Sequence, residues 1–398
     1  MDSRLHAPWV ESLQVQGDVP VCRPLLPSVE RLLPYLARID ESRRYSNHGQ
    51  LVLELQERLS SRLSGHHVAL ASSGTAAIVG ATLAAAGPAS PERPICLMPA
   101  YTFIGTVSAV EQCGYEPHFV DVDETSWQIC PLLVREHPLL PRTGLVVAVS
   151  AFGRKLEQHP WEAFQAATGV PVVIDGAAMI DAMFSDPAAC IGSIPVALSF
   201  HATKAFATGE GGAVVCASEA LWKAAMQALN FGYDVDRLSK RPAINGKISE
   251  YHAAVGLAEL DGWEGKAAAF RQAAAFLRRS APGDAALFTG PDVGSSYALL
   301  QMDSAEEADL VSESLDAAGI GWRRWYGLGA HAHPYTARFG RDRLEISEYL
   351  ARTTLGLPMS VDLTEREADR IAEALGSGLA RSTATALATA GRRGGPSS

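Results

Sequence analysis

Two patterns alternate along the first half of the chain. Short unbroken apolar runs at residues 68–71, 95–98, 118–121, 145–151, 171–175, 196–200 and 213–216 read as buried strands. Between them, apolar residues recur every three or four positions. Val52, Leu55, Leu59 and Leu63 mark one helix, which Gly65 ends. Further helices are expected over residues 76–86, 104–113, 161–167 and 217–229. Strand and helix in alternation predict an α/β domain with a mostly parallel, seven-stranded type of sheet flanked by helices. Residues 1–45 are irregular and proline-punctuated, apart from a short helical stretch over 29–39. From residue 249 the pattern changes to helices over 249–262, 266–279, 305–318, 344–353 and 365–375, with a strand at 296–302. This predicts a large domain over residues 1–262, a smaller C-terminal α+β domain over 263–381, and a disordered tail over 382–398.

Composition narrows the picture in four respects. The net charge of −10 argues against non-specific nucleic-acid binding, which needs a basic surface. No apolar run reaches the length of about 18 residues that a membrane span requires. The N-terminal Met-Asp-Ser-Arg-Leu-His has no apolar signal core. The six cysteines, at 22, 96, 113, 130, 190 and 216, show no paired ligand spacing. They read as reduced thiols in a cytoplasmic protein, and no metal site is expected.

The candidate chemistry lies in four places. Lys204 stands between the runs at 196–200 and 213–216, followed by Gly209, Gly211 and Gly212. A lysine between buried strands is poorly placed for a solvated charge, and desolvation favours the neutral amine that can bond an aldehyde. The bland alternative is a lysine on a loop tip. Ser72-Ser73-Gly74-Thr75 joins a strand to a small-residue helix. Such a turn aims free N–H groups at an anion, or is a plain N-cap. Phe103, just past a strand end, can stack on a planar ligand or plug the core. Asp175 ends the run at 171–175, where a carboxylate meets a ligand or caps the next turn. Asp121-Val122-Asp123 reads as turn caps. Together, Gly74 and Thr75, Phe103, Asp175 and Lys204 fit the phosphate, ring face, ring nitrogen and aldehyde of pyridoxal 5'-phosphate. Ser199 adds a hydroxyl for the phosphate.

The order and spelling of these pieces resemble the DegT family of sugar aminotransferases, which belong to the fold type I pyridoxal-phosphate enzymes. The resemblance runs from about residue 20 to 380. It rests on Ser73-Gly74-Thr75-Ala76-Ala77, Pro99-Ala100-Tyr101-Thr102-Phe103, Asp121-Val122-Asp123, Val173-Ile174-Asp175, Asn245-Gly246-Lys247-Ile248-Ser249-Glu250 and Leu357-Pro358. The most specific piece is Ser199-Phe200-His201-Ala202-Thr203-Lys204 with its Gly209-Glu210-Gly211-Gly212 tail. The resemblance implies that Lys204 bonds the cofactor and shuttles protons, and that Asp175 pairs with the ring nitrogen. It implies that Phe103 stacks on the ring, and that Gly74, Thr75 and Ser199 hold the phosphate. Asn245 matches an asparagine that reaches the neighbouring subunit's cofactor, so a homodimer with its active site at the interface is implied. Two positions depart from the family pattern. Ala178 stands where a Gln or His usually lies beside the ring hydroxyl, and Ala243 stands where glycine is frequent.

The implied reaction is a transamination in two halves, from L-glutamate or a similar donor to a keto sugar carried on a nucleotide. Arg324, Tyr326 and His331, with Arg323, form a polar aromatic cluster suited to that acceptor, or else a solvated loop. An aminocyclitol ketone or a non-sugar intermediate is the alternative acceptor. A related branch dehydrates sugars but carries histidine in place of the lysine, so Lys204 argues against it. A non-catalytic cofactor-binding protein would not require Lys204, Asp175 and Ser199 together. No Gly-x-x-x-x-Gly-Lys-[Ser/Thr] or Gly-x-Gly-x-x-Gly follows a strand, which removes a nucleotide-loop reading.

Overall fold

The computed structural model describes residues 18–283 and 285–393. Its strands are β1 (His67–Ala71), β2 (Ile95–Pro99), β3 (Glu116–Val120), β4 (Thr143–Val149), β5 (Val172–Asp175), β6 (Val196–Ser199), β7 (Gly212–Cys216), β8 (Ala286–Phe288), β9 (Ala298–Gln301), β10 (Gly340–Arg341) and β11 (Thr354–Leu357). The longer helices are α1 (Val29–Ser42), α2 (Gln50–Arg62), α3 (Gly74–Ala85), α4 (Ile104–Gln112), α5 (His159–Thr168), α6 (Glu219–Ala228), α7 (Glu250–Ser280), α8 (Ala305–Ala317), α9 (Glu345–Thr353) and α10 (Glu365–Arg393).

The large sheet has the order β1-β7-β6-β5-β4-β2-β3-β10. All its pairs are parallel except those of β7, which runs antiparallel to both β1 and β6. Alternate side chains of each strand feed opposite faces. Val146 and Ala148 of β4 join one core with α2 and α5, while Leu145, Val147 and Val149 join the other with α3 and α4. Burial on both faces is why the strands read as unbroken apolar runs. The smaller sheet is antiparallel, in the order β11-β9-β8.

The structure departs from the expected pattern in four places. The sheet has an eighth strand, β10, whose two residues pair with β3 and carry no apolar run to announce it. It comes from the segment assigned to the smaller domain, so the boundary between the units is not a single cut in the chain. The helices expected over 249–262 and 266–279 are one 31-residue helix, α7, which passes straight through residue 263. Gly262 and Gly265 lie within it, but one glycine costs a helix only about 1 kcal/mol, and the buried face continues through Trp263, Phe270, Ala274 and Leu277. The tail expected to be disordered from 382 is helical as far as Arg393 in α10, where alanines are frequent. Residues 394–398, and residues 1–17 of the irregular N-terminal segment, lie outside the described residues.

Residues 18–28 run as a strap across the smaller unit. Val19 bridges Ile320 and Cys22 bridges Met359. Arg23 donates to Glu367 at 2.8 Å, and Glu367 also accepts from the Thr364 amide and hydroxyl at the start of α10. This is a capping box joined to a salt bridge. Partial burial pushes the Glu367 carboxyl up, but hydrogen bonds from Arg23 and Thr364 outweigh it and hold the group at about 2, against 4.5 for a free carboxyl. A depressed folded value stabilises above the unfolded value and is lost as pH falls through the folded one. Glu367→Gln should therefore cost ~2 kcal/mol at neutral pH in urea unfolding. The gap to the unmodified protein should close between pH 4.5 and about 2; a gap independent of pH would show that the charge does not hold the strap.

Candidate active site

The turn after β1 builds an anion cradle. Ser73 caps α3 by accepting from the Ala76 amide at 3.0 Å. The next amides, of Gly74 and Thr75, are the first of the helix and have no intrahelical acceptor. They and the helix dipole form the positive end of α3. Gly74 lies against Ser199 at the end of β6, so closely that a Cβ on Gly74 would stand 2.6 Å from the Ser199 Cβ. Gly74, Thr75 and Ser199 thus meet on the wall of a cavity of about 530 Å³.

Asp175 enters that cavity from the end of β5. It is 5% exposed. Its carboxylate accepts from the Thr106 hydroxyl at 2.7 Å and from the Ala177 amide at 3.1 Å. Thr106, on α4, is itself within 2.9 Å of Thr102. Burial raises the Asp175 pKa, while the Thr106 and Ala177 hydrogen bonds and the Lys204 charge pull it back. The group is short of a close cation. Phe103, at the start of α4, is 59% exposed and offers its ring to the same space.

Lys204 lies on the connection between β6 and β7, as the loop-tip reading held, but the connection folds inward. The amides of Ala202, Lys204 and Thr208 bond the carbonyls of Gly209, His201 and Phe200, each at 2.8 Å. The rings of Phe200 and Phe206, fully buried, meet at 5.0 Å. The start of β7 is glycine because the Ser73 carbonyl passes where a Cβ of Gly212 would sit, at 2.5 Å. The Lys204 amine then faces the cavity and donates to the Tyr297 hydroxyl at 2.8 Å.

Three expected residues are placed elsewhere. Arg324 pairs with Asp309 at 3.0 Å and bonds the Arg352 carbonyl, away from the cavity. Its neighbours Arg323 and Trp325 line the cavity instead. Arg323 is held by its bridge to Gly356, while the ion pair with Asp309 draws the Arg324 side chain the other way. His331 is buried beside Phe119, with its Nε2 3.7 Å from Glu348. Asn245 is exposed and accepts from Lys247 at 2.5 Å, outside the cavity lining. Tyr326 does line the cavity. Its hydroxyl, which burial pushes well above its ordinary range, accepts from the Phe152 amide at 3.0 Å. Asp121 and Asp123 are caps, as expected: Asp121 accepts from the Ile346 and Ser347 amides, and Asp123 from those of Thr125 and Ser126. Thr106, Tyr297 and Trp325 were not found from sequence, and no local pattern marks them.

The donor set fits pyridoxal phosphate group by group, and the cavity sits at the carboxyl ends of the parallel strands, where α/β sheets bind ligands. Fold and cavity together define the class of pyridoxal-phosphate enzymes. Residues 28–376 match the model of the DegT/DnrJ/EryC1/StrS aminotransferase family, and the chain belongs to that family. It is 32% identical over 324 residues to Protein Rv3402c of Mycobacterium tuberculosis, covering 80% of this chain and 78% of that one. It is 26% identical to the dTDP-4-amino-4,6-dideoxy-D-glucose transaminase of Escherichia coli, covering 90% and 98%. The solved structure of DesI in the presence of its TDP-sugar product superposes with a TM-score of 0.81 at 28% identity, covering 94% of this chain and 96% of that chain.

The cradle makes one outcome specific. Gly74→Ala would press a methyl against Ser199 and should weaken cofactor binding by at least about tenfold, with little change in thermal unfolding of the cofactor-free protein. Fluorescence titration with pyridoxal phosphate measures it; unaltered affinity would move the phosphate away from α3.

Proposed function

We propose that the protein transfers an amino group from L-glutamate, or a similar amino-acid donor, to a keto sugar carried on a nucleoside diphosphate, in deoxyamino-sugar or natural-product biosynthesis. The observation that carries this reading is that Lys204 and Asp175 face one cavity whose wall is the anion cradle of Gly74, Thr75 and Ser199. The sugar-nucleotide acceptor is supported by the named activity of the E. coli relative and by the product held by DesI. Bound pyridoxal phosphate supplies an aldehyde to take up amino groups and a ring to hold an electron pair. The chain does the rest. Asp175, kept from water, would hold a proton on the ring nitrogen. Lys204 would take the proton from the donor's α-carbon and carry it to the cofactor carbon that bore the aldehyde, acid–base work worth about two to four powers of ten. Arg323, beside the Trp325 ring at 5.1 Å, supplies a cation for the donor's carboxylate or the acceptor's diphosphate.

The reading includes a cytoplasmic homodimer. All six cysteines are unpaired thiols, which supports a reducing compartment. No helix among the described residues is long and apolar enough to cross a membrane. Asn245 is exposed beside a loop that also exposes Phe231, Tyr233, Val235 and Leu238, which supports its reaching a partner's site.

Two measurements test the reading. Protein loaded with pyridoxal phosphate should change its absorption spectrum on addition of L-glutamate and release one equivalent of 2-oxoglutarate. Lys204→Ala should fold and release none, and Asp175→Asn should be slowed at least about a hundredfold; wild-type rates in either variant would remove that residue from the chemistry. For the dimer, Lys204→Ala and Asn245→Ala proteins should each be impaired alone. Unfolded and refolded together, they should regain about a quarter of full activity, because one site of each mixed dimer is intact. No recovery from two folded, impaired variants would place Asn245 outside a shared site.

A further inference from the structure

We propose that Tyr297 is the residue that positions Lys204 for proton transfer, and that Asp181 holds Tyr297 in place; the proposal rests on the aminotransferase reading above. The bond to the Tyr297 hydroxyl is the one hydrogen bond of the Lys204 amine among the described residues. The amine also stands 5.4 Å from the tyrosine ring centre. A lysine side chain has four flexible carbons, and a proton can be moved only from a narrow range of amine positions. One fixed acceptor removes much of that freedom.

Tyr297 is itself rigidly held. It is 8% exposed, and its ring meets Phe152 and Trp325 edge-on at 5.4 and 5.5 Å. The segment before it is bonded back to the large sheet's loops. The Gly294 amide donates to the Phe152 carbonyl at 2.7 Å, and the Ser295 amide to the Asp181 carboxylate at 2.6 Å. Asp181 lies on the short helix Ile180–Ser185, six residues past Asp175. Its other oxygen is buried without a well-formed hydrogen bond, and burial pushes the carboxyl's pKa up while the Ser295 amide and hydroxyl pull it back. A buried, half-satisfied carboxylate costs stability. The proton-transfer chemistry makes no other use of it, so we infer that its use is to fix the segment carrying Tyr297.

Residue 178 admits that segment. A Cβ on Gly294 would stand 2.7 Å from the Ala178 carbonyl oxygen and 3.7 Å from its methyl, so the two backbones are in close contact. The alanine presents no hydrogen-bonding side-chain atom to the cavity. Tyr297 supplies one from the small unit's side.

Tyr297→Phe keeps the ring and removes the acceptor. Its affinity for pyridoxal phosphate and its KM for glutamate should stay within about threefold of the unmodified protein, while the glutamate half-reaction slows by about ten- to a hundredfold. The primary isotope effect with α-deuterated glutamate should rise, because proton transfer then limits the rate. In cofactor-free protein, Lys204 should be labelled several-fold faster by an amine-selective anhydride, read by peptide mass spectrometry against the other lysines. Asp181→Ala should move rate and labelling the same way, by less. Unchanged rate and labelling in Tyr297→Phe would overturn the proposal, as would a loss of cofactor affinity parallel to the loss of rate. If the unmodified protein does not react with glutamate, the aminotransferase reading fails by itself, and the labelling contrast still decides whether Tyr297 holds Lys204.

Discussion

The close approach of the turn after β1 to the ends of β6 and β7 governs the site. Gly74 rests on the Ser199 side chain, and the Ser73 carbonyl lies directly over Gly212. The contact brings the positive end of α3 against the strand that leads into the Lys204 connection. The helix N-terminus and the amine are therefore set by one packing contact rather than by two independent loops. It also explains why the stretch is rich in glycine and serine: any larger side chain at 74 or 212 would force the helix off the sheet.

Asp175 is the electrostatic counterpart of that contact. A carboxylate taken out of water costs several kcal/mol unless it is paired. Two hydrogen bonds and the field of Lys204 offset part of the cost in this fold. A protonated ring nitrogen would offset much of the rest, so cofactor binding and the stability of the sheet's carboxyl end are linked. Thr106 and Thr102 hold the carboxylate's orientation, which ties the aspartate to the helix that carries Phe103. The smaller unit closes the site with Tyr297, Arg323 and Trp325.

Much of this was legible in the chain. The strands were visible because a sheet buried on both faces needs unbroken apolar runs. Asp175, Gly74, Thr75 and Ser199 were visible because each sits at a strand end or helix start, and Lys204 because it stands with a glycine cluster between two apolar runs. The two units were less clear. β10 has two residues and no apolar signature, and α7 carries glycines that a helix of its length tolerates. Alanine-rich residues near the end were read as a tail, although their alanines favour the helix that α10 continues to Arg393.

Sequence by itself determined the sheet's character and the candidate residues for the cofactor, because these follow from periodicity and from residue types near element ends. Tertiary structure alone decided which of Arg323 and Arg324 meets the cavity, since that depends on a bridge to Gly356 far along the chain. It alone removed His331 into the core and placed Asn245 outside the cavity of its own chain. It alone brought Tyr297 to the lysine, across 93 residues. Contacts between distant segments depend on how whole elements pack, and no local pattern records them.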